Sequence, residues 1–423
     1  MKFFTIFYRK YQKFSFALFL ILFSIHSLKA STYDVNNNGD GTGSSTVRTL
    51  RYCITQANAN PGADIITFSG LGTGTHTITL TSSLPDITGQ VSIQGYTAAS
   101  AAQGPLGPSS SRSIRIQING NDITTHMFAF VGGSDGSSIS GLAMYNTKGV
   151  CIFVPANING LHIWGNYFGL LGNGSVGATP ADTRLESSVL FIGSTSVAAT
   201  ISNLIIGTNG DGGSNGGTND ANEGNVIANT YRDAVAGGSV NGIFFYGDVG
   251  LTLNNSKVAG NYFGLLPDGT TVSPIGQNVP VAEGCPISFI GTVGTNVTIG
   301  TDANGISDAA ERNIISGSTI YGIQMESASG INIAGNYIGT DYTGTTAKPN
   351  ATRDGIYPAI NIQQRAGLFA PNNIVIGFDD RIHTAVDAPF VRNVISGNGG
   401  RAVAAATLNQ GPSSFSCPPR RRP

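Results

Sequence analysis

The stretch Ile163-Trp164-Gly165-Asn166-Tyr167-Phe168-Gly169 decides the reading, because it returns as Val258-Ala259-Gly260-Asn261-Tyr262-Phe263-Gly264 and again as Ile333-Ala334-Gly335-Asn336-Tyr337-Ile338-Gly339. Two further elements recur in the same cyclic order. The first is Ile205-Ile206-Gly207-Thr208-Asn209, Thr298-Ile299-Gly300-Thr301-Asp302 and Val375-Ile376-Gly377-Phe378-Asp379; the second is Asn225-Val226-Ile227, Asn313-Ile314-Ile315-Ser316-Gly317 and Asn393-Val394-Ile395-Ser396-Gly397. Between them lie short strands opened by a glycine, Gly242-Ile243-Phe244-Phe245 and Gly322-Ile323-Gln324-Met325. The chain copies itself with a super-repeat of roughly 75 to 95 residues, the signature of an array in which each unit is completed by its neighbours.

Each element is three to six residues long, alternates apolar with small or polar positions, and is bounded by Gly or Asn. Such a strand cannot bury its own face. A coiling chain solves this by pairing each strand in parallel with its counterpart one turn later, about 4.8 Å along the axis, around a continuous apolar column. The expected fold is all-β, a right-handed parallel β-helix. At roughly 20 to 25 residues per coil, a super-repeat is three or four coils and segment 31–400 about 16. Asn166, Asn225, Asn261, Asn313, Asn336 and Asn393 are then scaffold residues: asparagine tolerates left-handed turns, and stacked amides can hydrogen-bond along the axis. A β-sandwich, the alternative, would not require an ordered motif cycle.

Composition agrees. Of 423 residues only 11% are charged, Lys+Arg 23 against Asp+Glu 24, while Gly numbers 58 and 40% are hydrophobic. This argues against a disordered tail, a coiled coil and a polybasic nucleic-acid binder. Met 4 and the lack of Ala/Glu/Lys/Leu-rich stretches leave little material for a helical bundle.

Lys2, Arg9, Lys10 and Lys13 precede an apolar run from Phe14 to Phe23 and a segment ending at Ala30, the three-part pattern of a secretory signal over residues 1–30. The run is too short to span a bilayer, which takes about 20 residues; Leu28 is larger than the residue preferred three positions before the cut. Residues 31–423 hold 18 basic and 24 acidic side chains, an acidic balance that offers nucleic acid no general attraction. After signal removal no integral membrane span is expected. Residues 31–70 are expected as a lead-in segment and cap, in which Leu50, Cys53, Ile54 and Ala57 form one face of a short amphipathic helix that Asn60-Pro61-Gly62 stops. Repeats fill 71–400, and 401–423 is an irregular tail. The dissolving periodicity after Gly400 predicts a truncated or frame-disturbed version of a longer protein. Cys53, Cys151, Cys285 and Cys417 lack C-x-x-C spacing and read as buried small residues rather than a zinc site.

Assembled, these residues resemble the pectin-lyase-like, right-handed parallel β-helix repeat proteins exported by bacteria, notably Bacteroidetes. The resemblance spans most of 33–400. It is carried by Asp40-Gly41-Thr42-Gly43, by the run from Thr49 to Phe68, by Gly335-Asn336-Tyr337-Ile338-Gly339-Thr340-Asp341 and by Arg392-Asn393-Val394-Ile395-Ser396-Gly397-Asn398. It implies lyases and hydrolases of acidic polysaccharides among the relatives. Their chemistry needs Ca²⁺-binding carboxylates with a basic proton acceptor, or paired carboxylates on adjacent coils.

The candidates for such a site are few. Asp302, Asp341, Asp354, Asp379 and Asp380 lie near repeat elements, but Leu171 and Leu266 stand where Asp341 does in the earlier copies, and Asn209 stands at the position of Asp302. Asp302 and Asp379 match, yet three or four coils would hold them about 15 to 20 Å apart. Lys257, Arg312, Arg353, Arg365 and Arg392 are the candidate bases, with Arg312 and Arg392 recurring at one motif position as ladder ends do. Asp34-Val35-Asn36-Asn37-Asn38-Gly39 matches the opening of a calcium loop, but Ser45 stands where the closing Glu belongs; no cofactor is expected, and Ca²⁺ is the one ion with any motif. Asn173-Gly174 and Asp268-Gly269 fit two-residue hairpin tips. Tyr167, Tyr262, Tyr337, Trp164, Phe168 and Phe263 are either sugar-stacking aromatics or buried ladder residues. Thr75, Thr77, Thr79 and Thr81 read as an ordinary outward strand face.

The expectation is therefore a secreted or outer-surface adhesive or structural module that contacts polysaccharide or a cell-surface glycan. A polysaccharide lyase or glycoside hydrolase is the alternative, and a carboxylate cluster with Arg or Lys on neighbouring coils would favour it.

Overall fold

The computed structural model describes residues 29–213, 219–232, 240–277, 284–353, 355–377 and 391–406. Residues 1–28 of the expected signal segment, Asp354, Asp379, Asp380, Cys417 and the expected tail from 407 lie outside them. Every named strand pairs in parallel with its counterpart on the next coil, giving a parallel β-helix with a 19-stranded and a nine-stranded sheet.

Equivalent strands stack in four lines along the axis. The first line runs through His126–Ala129, Val150–Val154, Leu190–Gly193, the start of Ile243–Asn254, the start of Ile287–Gly300, Ile323–Glu326, Ile360–Gln363 and Val403–Ala406. A second, shorter line holds Ile158–Asn159, Ala199–Ser202 and the end of Ile243–Asn254. Thr32–Asp34, Asp64–Thr67, Val91–Gln94, Ser138–Ser140, His162–Trp164, Ile205–Gly207 and Lys257–Ala259 open the third. The fourth is the nine-stranded sheet, from His76–Thr79 to Val394–Ile395. Strand pairing extends from Thr32–Asp34, paired with Asp64–Thr67, to Val403–Ala406, paired with Ile360–Gln363.

Alternation decides which side chains enter the column. Ile243 and Phe245 point inward with Ile287 and Phe289, and the Phe245 and Phe289 rings stack at 4.5 Å; Phe244 and Tyr246 take the intervening outward positions. One apolar cluster continues from Val35 to Ile374. Helix Leu50–Ala59 joins it through Leu50, Cys53, Ile54 and Ala57, its N-terminus held by the Thr49 hydroxyl accepting from the Tyr52 amide. Cys53, Cys151 and Cys285 are buried thiols, and burial pushes the Cys53 thiol up to about 12.

The asparagines form one column, in the order Asn166, Asn225, Asn261, Asn313, Asn336, Asn393. Each Nδ2 donates to the Oδ1 of the next (2.9–3.1 Å), and each backbone amide donates to that same oxygen. Two expectations are corrected here. The Gly-Asn-aromatic and Asn-Val/Ile-Ile motifs occupy the same place on consecutive coils, so a super-repeat is two coils, and the described residues make nine or ten coils rather than about 16. Coil length was underestimated because alternate coils carry excursions: successive ladder asparagines stand 59, 36, 52, 23 and 57 residues apart. Nor do ladder asparagines adopt left-handed backbone. The preceding Gly165, Gly260 and Gly335 do, as do corner asparagines such as Asn203, Asn255 and Asn296. With two coils per super-repeat, equivalent residues stand about 10 Å apart rather than 15 to 20 Å; Asp379, the match of Asp302, lies outside the described residues.

Candidate functional site

The outward rows of the first line carry the most distinctive surface. Phe153, Phe191 and Phe244 are register partners on three successive coils, followed in the same row by Ser288, Gln324 and Asn361. In the adjacent row, Tyr246, Ile290, Glu326 and Gln363 follow one another. The aromatic rings touch in a chain: His126 to Phe153 at 5.8 Å, Phe153 to Phe191 at 5.6 Å, Phe191 to Phe244 at 5.4 Å and Phe244 to Tyr246 at 5.3 Å. Phe153, Phe191 and Tyr246 remain partly exposed.

The strip ends on charge. Tyr246 Oη donates to Asp248 Oδ2 at 2.6 Å, and Arg365 Nη2 reaches the same oxygen at 3.3 Å while its Nη1 stands 3.6 Å from Glu326 Oε2. Asp248 lies on the coil of Tyr246, Glu326 two coils on, and Arg365 in the loop of the next coil, whose Leu368 lies against Gly291. Glu326 Oε1 also accepts from Gln324 Nε2 at 2.8 Å and Gln363 Nε2 at 2.6 Å, and Gln324 Oε1 accepts from Ser288 and Cys285. Among the described residues, Asp248 Oδ1 and Asn361 Nδ2 are buried without a hydrogen-bond partner. The bond to Asp248 holds the Tyr246 hydroxyl above its usual range. Chemically the cluster offers carboxylate acceptors, amide groups and one guanidinium beside an aromatic wall, the donor set that fixes a polyhydroxylated ring.

A second cluster ties the acidic loops of alternate coils. Lys257 Nζ stands 2.6 Å from Asp302 Oδ2 and 2.7 Å from Glu311 Oε1, and donates to the Asn209 carbonyl at 3.2 Å. Asp302, Asp308 and Glu311 bring carboxylate oxygens within 4.8 Å of one another, a spacing that suits a metal ion. Here the Lys257 ammonium takes the cation's place. Burial alone would lower the lysine, but Glu311 and Asp302 outweigh it and hold it above its ordinary value; burial pushes Glu311 up against the pull of Lys257. A lysine held protonated in this way is a poor proton acceptor at neutral pH.

Arg312 lies over the Tyr337 ring at 4.2 Å and donates to the Gly335 carbonyl. Tyr167 and Tyr262 are buried beneath the excursions with Leu170 and Leu265, and burial pushes both hydroxyls up to about 12; Phe168 and Phe263 are interior. Trp164 stacks on Tyr96. Asp341 and Asp268 accept from the backbone of their own turns, at 341–346 and 268–271. In the calcium-like loop, Asp34 accepts from Thr67 and Ser69, Asn36 from the Arg48 amide and Asn37 from the Gly39 amide. Among the described residues, Lys257 and Arg365 are candidate bases that reach carboxylates on other coils. Phe153, Phe191, Tyr246, Asp248 and Glu326 were missed. Their signal was the outward alternation of aromatics in Val150-Cys151-Ile152-Phe153, Leu190-Phe191 and Ile243-Phe244-Phe245-Tyr246, legible only once those strands are set in register.

No protein-family model and no curated protein matches the chain. Among solved structures it is similar to the Dettilon tailspike protein, at 12% identity and a TM-score of 0.25, covering 84% of this chain and 64% of that one. It is also similar to two A-modules of mannuronan C-5 epimerases from Azotobacter vinelandii. These stand at 11% and 14% identity, TM-scores of 0.27 and 0.25, and cover 92% and 88% of this chain and 99% and 95% of theirs. These likenesses concern fold.

Proposed function

We propose that the chain is exported and acts outside the cell as an adhesive or structural β-helix that binds a polysaccharide along its first strand line. The contiguous aromatic strip ending on Asp248, Glu326 and Arg365 carries this reading. Sugar faces stack on Phe153, Phe191 and Tyr246, and ring hydroxyls meet the carboxylates and the amide of Gln363. The ligand is uncharged or weakly charged, since one guanidinium against two carboxylates gives no attraction for a polyanion. Export is supported by the basic-then-apolar segment ending at Ala30; among the described residues no helix is long and apolar enough to cross a membrane.

A second reading, hydrolysis or elimination on the same polysaccharide, is favoured by two carboxylates on separate coils joined by Arg365. It is ranked lower because three donors engage Glu326 and one guanidinium ties both acids, which suits orientation better than proton transfer. Glycan-array screening followed by calorimetry tests both. Phe191→Ala with Tyr246→Ala is expected to weaken binding at least tenfold, about 1.4 kcal/mol, with no product formed. Unchanged affinity in the double variant overturns the binding reading; reducing ends or an ultraviolet-absorbing unsaturated product establishes the enzyme.

A further inference from the structure

Asp64 begins the second strand of the third line and is 1% exposed. Its Oδ1 accepts from the Ser31 backbone amide at 2.8 Å and from Asn60 Nδ2 at 2.7 Å, while its Oδ2 is buried with no partner. No lysine, arginine or histidine among the described residues forms an ion pair with it. A carboxylate this deep with only neutral donors is an unbalanced arrangement, because burying a charge is costly unless an opposite charge meets it. The residues just before Ser31 are differently placed. Lys29 and Ala30 are exposed, and Ala30 lies in an open cleft of about 650 Å³ with Asn60, Pro61, Gly62 and Gln90. Asn60 Nδ2 holds the Lys29 carbonyl at 2.9 Å, and a side chain at Gly62 would press on the Ala30 nitrogen at 3.0 Å. The peptide bond between Ala30 and Ser31 is therefore where the chain passes from exposed to anchored.

We propose that this bond is the maturation site and that Asp64 is the built-in receptor for the ammonium it creates. Hydrolysis breaks the bond from the Ala30 carbonyl carbon to the Ser31 nitrogen. Water gives its hydroxyl to that carbon and a proton to the nitrogen, and the amine takes one more proton from solvent at neutral pH. The nitrogen that donated one hydrogen bond to Oδ1 now carries a positive charge and three hydrogens, enough to keep that bond and reach the unsatisfied Oδ2 of the same carboxylate. Asn60, released from the Lys29 carbonyl, stays on Asp64 Oδ1 and the Ser31 hydroxyl. Processing thus completes a charge pair at the first coil, locking the strand Thr32–Asp34 into the sheet. The inference rests on the export reading and is independent of what the aromatic strip binds.

The test expresses the full chain in an exporting bacterial host, collects the exported protein and determines its N-terminus by intact mass and sequential degradation. Isotopic reductive methylation across pH then titrates its α-amino group. The expected N-terminus is Ser31, with an α-amine titrating at least one unit above the usual range of about 7.7–8.0. In Asp64→Asn that value returns to the ordinary range, so methylation at pH 8 is several-fold faster. Exported protein starting at another residue overturns this inference while leaving export standing. Protein retained with residues 1–30 overturns both. An ordinary α-amine in the wild type overturns the inference even if Asp64→Asn fails to fold.

Discussion

Replacing Asn261 by alanine removes the middle rung of the amide column and is the sharpest test of its energetic role. Its Oδ1 accepts from the Asn225 backbone amide at 3.0 Å and from Asn225 Nδ2 at 2.9 Å; its Nδ2 donates to the Ile206 carbonyl at 2.8 Å and to Asn313 Oδ1 at 3.1 Å. Some of these partners keep other bonds, since Asn225 Nδ2 still reaches Ile163 and Asn313 Oδ1 still accepts from the residue 261 amide. The Asn225 amide is left without a partner in a site closed to water, while the Ile206 carbonyl loses its side-chain donor and keeps its ladder bond from the Ala259 amide. At about 1–3 kcal/mol for the buried orphan, plus the weaker losses, the variant should lose about 2–4 kcal/mol. Asn393→Ala, at the half-exposed end of the column, should lose about 1–2 kcal/mol because water can replace the missing groups. Urea midpoints by circular dichroism at 25 °C measure both. A loss below about 1 kcal/mol for Asn261→Ala, or an equal loss at both positions, would refute the argument.

Lys257→Met strips the cation from Asp302 and the fully buried Glu311, an uncompensated charge that costs about 3–5 kcal/mol at pH 7. Glu311 already titrates high through burial, and losing Lys257 raises it further; a carboxyl raised in the folded state gains stability as pH falls, so the melting deficit should shrink between pH 7 and pH 5. A deficit equal at both pH values would count against the ion pair. Gly300→Ala should abolish folded yield or cost more than about 3 kcal/mol, because its φ is +96° and a Cβ there would collide with the Ala334 carbonyl. A soluble variant with a wild-type melting curve would show that this turn is not close-packed.

The repeat was legible because each of its residues answers a local requirement. Gly260 supplies the left-handed step, Asn261 the amide rung and Phe263 the interior side chain, so the triplet recurs wherever the corner recurs. The equivalence of Asn225 with Asn166 was not legible. Their flanking residues differ because one corner turns tightly through Gly165 while the other arrives from the excursion 208–225, and only the hydrogen-bonding partner is shared. Coil length failed for the same reason, since excursions add residues without adding rise. The surface strip shows a different limit. Phe191 and Phe244 lie 53 positions apart in the sequence yet are register partners, and Arg365 meets Asp248 across three coils through a loop that folds back along the axis. No short-range pattern encodes such pairs; they follow only from the stacking. Tyr167 and Tyr262 were ambiguous until the excursions covering them were placed.

One super-repeat advances the chain by two coils. Thr200 and Asn372 occupy exposed places in one line, linked through Thr252, Val293 and Ser329 by successive register partners, so four coils separate them. Spin labels at Thr200→Cys and Asn372→Cys, in a background where Cys417 is replaced by Ser and the buried cysteines do not react, report that span by pulsed electron resonance. Two coils per super-repeat place the backbones about 19 Å apart, and a distance distribution centred near 20 Å is expected. A narrow distribution centred beyond about 30 Å, as three or four coils per super-repeat would give, rules out two-coil stacking.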